Sequence, residues 1–381
     1  MTSGSPTSPA FVRVAVRTST GGEYPVLIGP GALRELPHLL KERVGAFRYA
    51  LVADDRVLEL HGSAVAEVVR DGGMELTDFS FPEGEVRKNR DEWSRLSDEL
   101  LEAGFGRDSC VIALGGGVTG DLAGFVAATY MRGLPVVQVP TSIVAMVDSS
   151  VGGKTGVDVP GGKNLVGAFH PPAFVLADTR LARTLPRGER SQGLAEAVKH
   201  GAILDAEYLL GMERDAGALL GGEEGITAEM VTRSVELKAD VVSRDERESG
   251  LREILNFGHT LGHAIEASSG YRIPHGSAIS MGMVMEARLG ERLGVTAAGT
   301  SGRLRRVLEA MDLPTAPGDP LPEEEILGYL GRDKKARGGT PRFVLLEEPG
   351  RVAQNESGVW SRPVSSDLVA EVVRGAGSDP I

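Results

Sequence analysis

Three of the seven histidines in this 381-residue chain fall within 17 positions, a grouping that could bind a divalent metal. His259 and His263 are four residues apart and would share one face of a helix. His275 follows a turn-like segment, 270–274, that could fold it back against that helix. A catalytic zinc site needs about three protein ligands and one open position. The alternative is two histidines on a helix surface and a third at a helix start, but three nearby histidines favour metal binding.

A glutamate in an apolar context could complete such a site. Glu196 and Lys199 are three residues apart, and the residues flanking them in 193–199 are apolar, which predicts a helix buried on most sides. A buried carboxylate needs a partner, and a metal ion can be that partner. Glu196, His259 and His275 therefore form a candidate Glu/His2 catalytic site. An ordinary surface ion pair between Glu196 and Lys199 is the alternative.

Two glycine-rich segments could approach phosphate groups. Gly115, Gly117 and Gly120 satisfy G-x-G-x-x-G after an apolar strand, the turn that brings backbone amides to a pyrophosphate. The motif lies late in the chain and lacks an acidic residue about 20 positions later, so a tight strand–helix turn is the alternative. In the second segment Lys154 and Lys163 each follow a Gly-Gly pair, which suits a phosphate or polar substrate better than a solvated loop.

The composition of the chain indicates its cellular compartment and the partners that it is unsuited to bind. The net charge of −12 argues against nucleic-acid and membrane partners, and no apolar run reaches roughly 18 residues. The single cysteine, Cys110, excludes an internal disulfide and fits a reducing compartment. Residues 1–10 have the composition of a disordered tail without the features of a signal peptide. We expect a cytoplasmic protein.

The order of apolar segments predicts two domains. Short apolar runs alternate with amphipathic ones over residues 11–182, which indicates an α/β domain with a parallel sheet covered by helices. Helical periodicity dominates residues 183–381, apart from one predicted strand at 342–346, which indicates a mostly helical second domain. The predicted strands are 11–16, 24–28, 47–52, 110–114, 135–139 and 173–177, and the predicted helices are 93–101, 191–204, 228–242, 255–268, 278–293 and 302–311.

Four longer motifs resemble one known family. They are 115–125, 140–154, 162–169 and 255–266. In residues, order and spacing, from about residue 12 to residue 373, they closely resemble the 3-dehydroquinate synthases. The resemblance implies an N-terminal Rossmann-like domain and a C-terminal helical metal-binding domain, an architecture shared with glycerol dehydrogenase and iron-type alcohol dehydrogenases.

The resemblance also implies a reaction and its cofactors. The substrate would be a phosphorylated seven-carbon keto-acid sugar, 3-deoxy-D-arabino-heptulosonate 7-phosphate, converted to 3-dehydroquinate and phosphate in the shikimate pathway of aromatic amino-acid biosynthesis. Bound NAD would transiently oxidise the C5 hydroxyl, phosphate would leave by β-elimination, the hydride would return, and an intramolecular aldol reaction would close the ring. A divalent metal, zinc or alternatively cobalt, would polarise the C4 and C5 hydroxyls. The resemblance also implies a homodimer.

Site residues follow from the matching positions. The implied metal ligands are Glu196, His259 and His275. The implied substrate-phosphate residues are Lys154, Asn164, Arg252, Asn256, His263 and, across a dimer interface, Arg132, together with either Lys334 or Lys335. The implied contacts to substrate hydroxyls and carboxylate are Lys199, Lys238 and Glu248, with Asp148 touching NAD or substrate. The implied NAD-binding residues are Glu83, Gly84, Glu85, Val86, Arg87, Lys88, Gly117, Val118, Thr119, Gly120, Asp121, Thr141, Ser142, Lys154, Lys163, Leu181, Ala182, Arg183 and Thr184, with Asp54 as a further candidate.

One departure from the family pattern concerns the metal. Ser277 stands where the family commonly has Glu, next but one to His275, and the lost carboxylate could change hydrogen bonding around the ligands. Sister sugar phosphate cyclases of the aminodehydroquinate, 2-deoxy-scyllo-inosose or valiolone type are therefore the runner-up, although Gly152–Lys154 and Lys163–Asn164 favour the dehydroquinate branch. A metal-dependent polyol dehydrogenase would lack the cationic cluster of Lys154, Lys163, Lys199 and Arg252. A non-catalytic binding protein is the third alternative.

Overall fold

The computed structural model describes residues 11–318, 322–332, 340–355 and 357–376. The predicted tail, 1–10, and the two candidate lysines, Lys334 and Lys335, lie outside the described residues. The chain groups into two compact units, one of Met1–Leu185 with Thr227–Ser243 and the other of Pro186–Ile226 with Arg244–Ile381. A single division near residue 183 does not describe this grouping, because the segment 227–243 belongs with the first unit.

A seven-stranded sheet forms the core of the first unit. Its order is β1-β2-β9-β6-β5-β3-β4, antiparallel only between β1 and β2 and parallel elsewhere. The strands are β1 Val12–Arg17, β2 Glu23–Ile28, β3 Arg48–Asp54, β4 Glu75–Phe81, β5 Ser109–Gly115, β6 Val136–Pro140 and β9 Phe174–Ala177. The interior strand β5 is buried at every position, as its apolar sequence requires. The parallel-sheet fold class predicted from the sequence is confirmed.

Helices cover this sheet, and a hairpin leaves it. The helices are α1 Leu36–Arg43, α2 Asp55–Val57, α3 Ser63–Asp71, α4 Arg90–Glu102 and α5 Gly117–Thr129. The hairpin consists of β7 Lys154–Val159 and β8 Gly162–Phe169. Gly124 lets α5 pack closely against β7, because a Cβ added at Gly124 would come within 2.5 Å of the methyl carbon of Thr155. Leu122, Val126 and Phe125 of α5 join the main hydrophobic core of this unit.

The second unit is mainly helical. Its helices are α6 Arg187–Leu204, α7 Ala206–Arg214, α8 Ala216–Gly221, the beginning of α9 Glu224–Arg244, α10 His259–Ser268, α11 His275–Arg292, α12 Thr300–Ala310, α13 Glu323–Arg332 and α14 Ser366–Gly375. Four short strands, β10 Arg342–Val344, β11 Leu346–Glu348, β12 Arg351–Val352 and β13 Ser361–Pro363, form two small two-stranded sheets. The core lies where α10, α11, α13 and α14 pack together.

Several local predictions were wrong. The glycine-rich segment that contains Lys154 and Lys163 lies largely in the β7–β8 hairpin, which was not predicted. The histidine helix begins at His259 rather than at residue 255, because a 3-10 turn, Leu251–Asn256, precedes it. The strand predicted at 342–346 is divided between β10 and β11, and β4 was not predicted. None of the described helices is both long enough and apolar enough to cross a membrane.

Candidate active site

Glu196, His259 and His275 converge within the second unit. Glu196 lies on α6 and is 2% exposed, whereas His259 and His275 are the first residues of α10 and α11. Both imidazoles point Nε2 at the same carboxylate oxygen: Glu196 Oε1 lies 3.3 Å from His259 Nε2 and 3.2 Å from His275 Nε2. One ligand atom from each residue lies within 4.8 Å of the others.

This donor set fits a zinc-like ion. Ligands bound tetrahedrally at 2.0–2.1 Å from a metal lie roughly 3.3–3.4 Å from each other, close to both observed Nε2–Oε1 separations. Those separations would also suit hydrogen bonds. The convergence of two imidazole nitrogens on one buried carboxylate oxygen is the feature that a cation explains, because two nitrogens and one carboxylate oxygen make a common catalytic zinc ligand set.

The outer nitrogens of both imidazoles are held by the protein. His259 Nδ1 lies 3.2 Å from the carbonyl oxygen of Phe257, and His275 Nδ1 lies 3.4 Å from Glu266 Oε2. A proton on Nδ1 bonded in this way leaves Nε2 as the lone-pair nitrogen that a metal needs. Glu266 was not predicted as a site residue. Its position three residues after His263, on the same face of the helix, was the available signal.

Charges around Glu196 keep its carboxylate ionised. Burial alone would raise the pKa of Glu196, but the Lys199 ammonium, 2.5 Å from Oε2, and the two histidines hold the pKa well below its usual range. Burial lowers the pKa of His259. Burial also acts to lower the pKa of the half-buried His275, but hydrogen bonds to Glu196 and Glu266 outweigh it and raise the pKa to about 9.

His263 lies beside this cluster but outside its first ligand set. Its ring centroid is 5.1 Å from that of His259 and 5.9 Å from that of His275, and its side chain is exposed. Potential ligand atoms of His263, Glu266 and His275 also lie within 4.8 Å of one another. Glu196 belongs to the group with His259 and not to the group with His263, and the different roles of the two histidines of α10 stay a prediction.

The predicted NAD segments gather at one edge of the sheet in the first unit. Five of the six parallel strands, β9, β6, β5, β3 and β4, are neighbours, and their carboxyl ends therefore lie at the same edge. The segments 83–88, 117–121, 141–142 and 181–184 follow β4, β5, β6 and β9, and Asp54 is the last residue of β3. A Rossmann-like fold binds its nucleotide at this edge.

The glycine-rich turn at that edge faces two serine hydroxyls. A Cβ at Gly116 or Gly117 would approach the hydroxyl of Ser142 or Ser149, each to 3.3 Å, so side chains there would narrow the space between the turn and these hydroxyls. The amides of the turn lie at the start of α5, where anions bind favourably. Thr119 donates a weak hydrogen bond of 3.4 Å to Asp54, which ties this turn to the end of β3.

A buried lysine organises the acidic residues beside this turn. Lys88 Nζ lies 2.9 Å from Glu85, 3.4 Å from Asp121 and 3.8 Å from Asp158, and its side chain is 5% exposed. Burial raises the pKa of Asp121 to about 6, although Lys88 acts in the opposite direction. Burial opposes the charge of Lys88, but Asp121 and Glu85 outweigh it and raise its pKa. Asp158, which lies between the two Gly-Gly-Lys units, was missed in the sequence analysis.

The hairpin separates the two lysines that follow Gly-Gly pairs. Lys154 begins β7 and pairs in register with Phe169, whereas Lys163 lies near the turn and 3.6 Å from Glu85. Asn164 adopts a positive φ of 54° next to that turn, where its amide donates to Asp158. Lys163 thus lies with the predicted NAD residues and Lys154 at the other end of the hairpin.

Other predicted residues form local pairs. In the first unit Lys238 Nζ lies 2.7 Å from Asp148 Oδ1, and Lys238 is buried. In the second unit Asn256 donates to Glu248 at 2.8 Å, while the buried Arg252 donates from its guanidinium to the carbonyl of Glu246.

Arg132 occupies a strained and exposed turn. Met131 and Arg132 have φ values of 51° and 67°, an unusual conformation for two successive residues that are not glycine. The turn follows α5 and presents Arg132 on the surface of the first unit.

Comparison with known proteins agrees with this geometry. Two family models match, 3-dehydroquinate synthase N-terminal over residues 78–192 and 3-dehydroquinate synthase C-terminal over residues 193–336. The chain belongs to the 3-dehydroquinate synthase family. The 3-dehydroquinate synthase of Symbiobacterium thermophilum is 45% identical over 331 residues, which cover 86% of this chain and 92% of that protein. The Xanthomonas campestris pv. campestris enzyme is 44% identical over 354 residues, covering 91% and 95%.

The solved structures that this chain resembles include sugar phosphate cyclases. A 2-deoxy-scyllo-inosose synthase complexed with carbaglucose-6-phosphate, NAD+ and Co2+ superposes with a TM-score of 0.87 at 27% identity, covering 96% of this chain and 100% of that one. A 2-epi-5-epi-valiolone synthase from Streptomyces hygroscopicus, with NAD+ and Zn2+ bound, has a TM-score of 0.84 at 24% identity, covering 95% and 99%. The latter shows the shared fold.

Proposed function

We propose that this protein converts 3-deoxy-D-arabino-heptulosonate 7-phosphate to 3-dehydroquinate and phosphate, with bound NAD and a divalent metal, zinc or cobalt. The observation that carries the proposal is the convergence of His259 and His275 on Glu196 Oε1. This ligand set belongs to a family whose curated members of 43–45% identity are named 3-dehydroquinate synthase. The 27% identity to 2-deoxy-scyllo-inosose synthase makes that activity the weaker candidate.

The cofactors would supply what side chains cannot. NAD supplies a reversible hydride acceptor, and the metal supplies a Lewis acid for substrate hydroxyls. Glu196, His259 and His275 would hold the metal through one carboxylate oxygen and two Nε2 atoms. Lys199 would keep the carboxylate ionised, and Glu266 would keep the His275 ring in the orientation that directs Nε2 at Glu196.

The sheet edge of the first unit would hold NAD. The amides at the start of α5 would bind the pyrophosphate, with the segments 83–88, 141–142 and 181–184 and the side chain of Lys163 around it. Asp54, at the end of β3, is positioned to accept from a ribose hydroxyl, the role an acidic residue at a strand end has in this fold.

Cationic and amide side chains would bind the substrate's anionic groups. We assign Lys154, Asn164, Arg252, Asn256 and His263 to the phosphate, because these residue types donate hydrogen bonds to phosphate oxygens. Lys238, paired with Asp148, and Glu248, paired with Asn256, would contact the hydroxyl and carboxylate groups. His263 is the group that would move a proton during phosphate departure, since an imidazole titrates near neutral pH.

We also propose a cytoplasmic homodimer in which Arg132 serves the phosphate site of the partner. The strained turn that presents Arg132 at the surface supports this assignment, because such backbone conformations persist where a function requires them.

Phosphate release tests the proposed function directly. The purified protein, saturated with NAD and zinc, should release phosphate from the heptulosonate phosphate without net NADH. A chelator should stop the release, and added zinc should restore it. Steady accumulation of NADH would show a dehydrogenase instead, and turnover of glucose 6-phosphate in place of the heptulosonate would show the 2-deoxy-scyllo-inosose activity.

A further inference from the structure

Both histidine ligands begin a helix, and neither helix caps its own N-terminus with a side chain. The N-cap of α10 is Gly258, and the N-cap of α11 is Pro274, and no side-chain capping bond is present at either. The first turn of a helix leaves backbone amides that need acceptors. His259 and His275 are therefore attached to helix ends whose amides must be satisfied from elsewhere.

Glu286 caps the helix of His259 from α11. One of its oxygens accepts from the amide of Gly258 at 2.7 Å and the other from the amide of Leu261 at 3.0 Å. These are the N-cap and N3 amides, the same two donors that a capping box satisfies from within one helix. Glu286 is 0% exposed, so its carboxylate reaches these amides inside the packed unit.

Close packing explains why the cap comes from another helix. A Cβ at Gly258 would lie 2.4 Å from the side chain of Met283 and 3.1 Å from the carbonyl oxygen of Ile279, and the φ of Gly258 is +79°. A capping side chain cannot occupy that position while α11 lies there. The close packing of α11 against Gly258 also brings Glu286, one turn beyond Met283, to the N-terminus of α10.

Gln192 caps the helix of His275 from α6. Its amide oxygen accepts from the amide of Ser277 at 2.8 Å, and its amide nitrogen donates to the Ser277 hydroxyl at 2.9 Å. Ser277 is the N3 residue of α11, and Pro274 has no amide proton to satisfy. A Cβ at Gly276 would lie 2.3 Å from the carbonyl oxygen of Gln192, so α6 and α11 approach closely at this point.

We infer that Glu286 and Gln192 are positioning residues that fix the two histidine ligands relative to Glu196. Gln192 lies one helical turn before Glu196 on α6, so its bond to Ser277 ties the carboxylate ligand's helix to the start of the helix of His275. Glu286 likewise ties α11 to the start of the helix of His259. The three ligands thus belong to one network of helix-end bonds. The inference rests on the proposed metal site and extends it to two residues that do not touch the ion.

Zinc affinity of the metal-free full chain tests this inference. The dissociation constant is measured by competition with a chromophoric chelator for Gln192→Met and Glu286→Met, which keep the side-chain length but lose the acceptor. We expect each to weaken zinc binding about 10- to 100-fold, the range found for groups that orient metal ligands. Gln192→Glu keeps the acceptor for the Ser277 amide and should retain zinc affinity within a few-fold of the wild type.

Ser365→Ala is the matched control. Ser365 caps α14 of the same unit by accepting from the Leu368 amide, in an ordinary arrangement with no metal ligand in the helix. Ser365→Ala should lower the melting temperature without changing zinc affinity. If Gln192 had a purely structural role, Gln192→Met would likewise lower the melting temperature and leave zinc affinity unchanged. Folded Gln192→Met protein with wild-type zinc affinity would overturn the inference, whether or not Glu286→Met folds. Failure of the proposed metal site itself would be visible already in the wild type, as absence of stoichiometric zinc.

Discussion

Lys199 Nζ lies 2.5 Å from Glu196 Oε2, and both side chains are 2% exposed. The candidate metal ligand is therefore one member of a buried ion pair with a residue of its own helix. Removal of one partner from such a pair leaves an uncompensated buried charge, which is costly. Lys199→Met should thus destabilise the metal-free protein by about 3–5 kcal/mol. Zinc should recover part of this loss, because the cation replaces the missing ammonium. Urea denaturation with and without zinc measures both quantities, and an equal loss in the two conditions would contradict the pairing.

Removal of one of the three ligands should abolish tight metal binding. We expect Glu196→Gln and His259→Ala to be isolated with little zinc, because two remaining ligands form an incomplete site. Elemental analysis of the purified variants gives the metal content, with His38→Ala, a change at an exposed histidine, as the control. Near-stoichiometric zinc in both variants would refute the ligand assignment.

His263 should behave differently from His259. The His263→Ala variant should retain zinc, because its ring lies outside the group that contains Glu196. Phosphate release should nevertheless fall by roughly 10²-fold or more, the scale of a positioned proton-transfer group. Metal content and the rate of phosphate release, measured on the same preparation, separate the two effects. A parallel loss of both would make His263 a ligand.

The raised pKa of Asp121 predicts a pH-dependent stability. Its carboxyl group titrates at about 6 in the folded protein, above the ordinary value of 3.8, so the unfolded chain loses this proton first as the pH rises. This group therefore reduces stability progressively between about pH 4 and pH 6. Asp121→Asn removes that dependence. As the pH rises through this interval, the free energy of unfolding of the variant should therefore increase by roughly 1–3 kcal/mol relative to that of the wild type.

The free energy of unfolding of both proteins is measured by denaturant unfolding at several pH values, and its change with pH is compared between them. Parallel pH profiles for the two proteins would mean that Asp121 titrates normally.

Arg132 should act in the pocket of a second subunit. Arg132→Ala and His263→Ala homodimers should both be impaired, whereas mixed dimers contain one pocket with an intact arginine and an intact histidine. Mixing the two variants should then restore up to about a quarter of wild-type activity, if subunits exchange at random and each dimer has two pockets. Differently tagged chains that co-purify establish the exchange. Verified mixed dimers with no recovered activity would place Arg132 in its own subunit or outside catalysis.

The sequence by itself identified the groups that meet in the candidate metal site. Four-residue spacing places His259 and His263 on one helix face, and apolar neighbours around Glu196 predicted a buried carboxylate, which is 2% exposed. The segments around the NAD edge were also predictable, because strand ends and glycine-rich turns are local features. In a parallel sheet these local features all lie at one edge.

Other features were decided only by the tertiary structure. The β7–β8 hairpin was not predicted, because the sequence of its second strand lacks clear alternation, while Gly156 and Gly167 allow the two backbones to pack closely. Gln192 and Glu286 carried no signal of their own roles, and the helix position of Glu266 did not show that His275 is its partner. Each bonds to a residue that is distant in sequence or on another helix, and a pattern based on local periodicity contains no information about which helix ends meet.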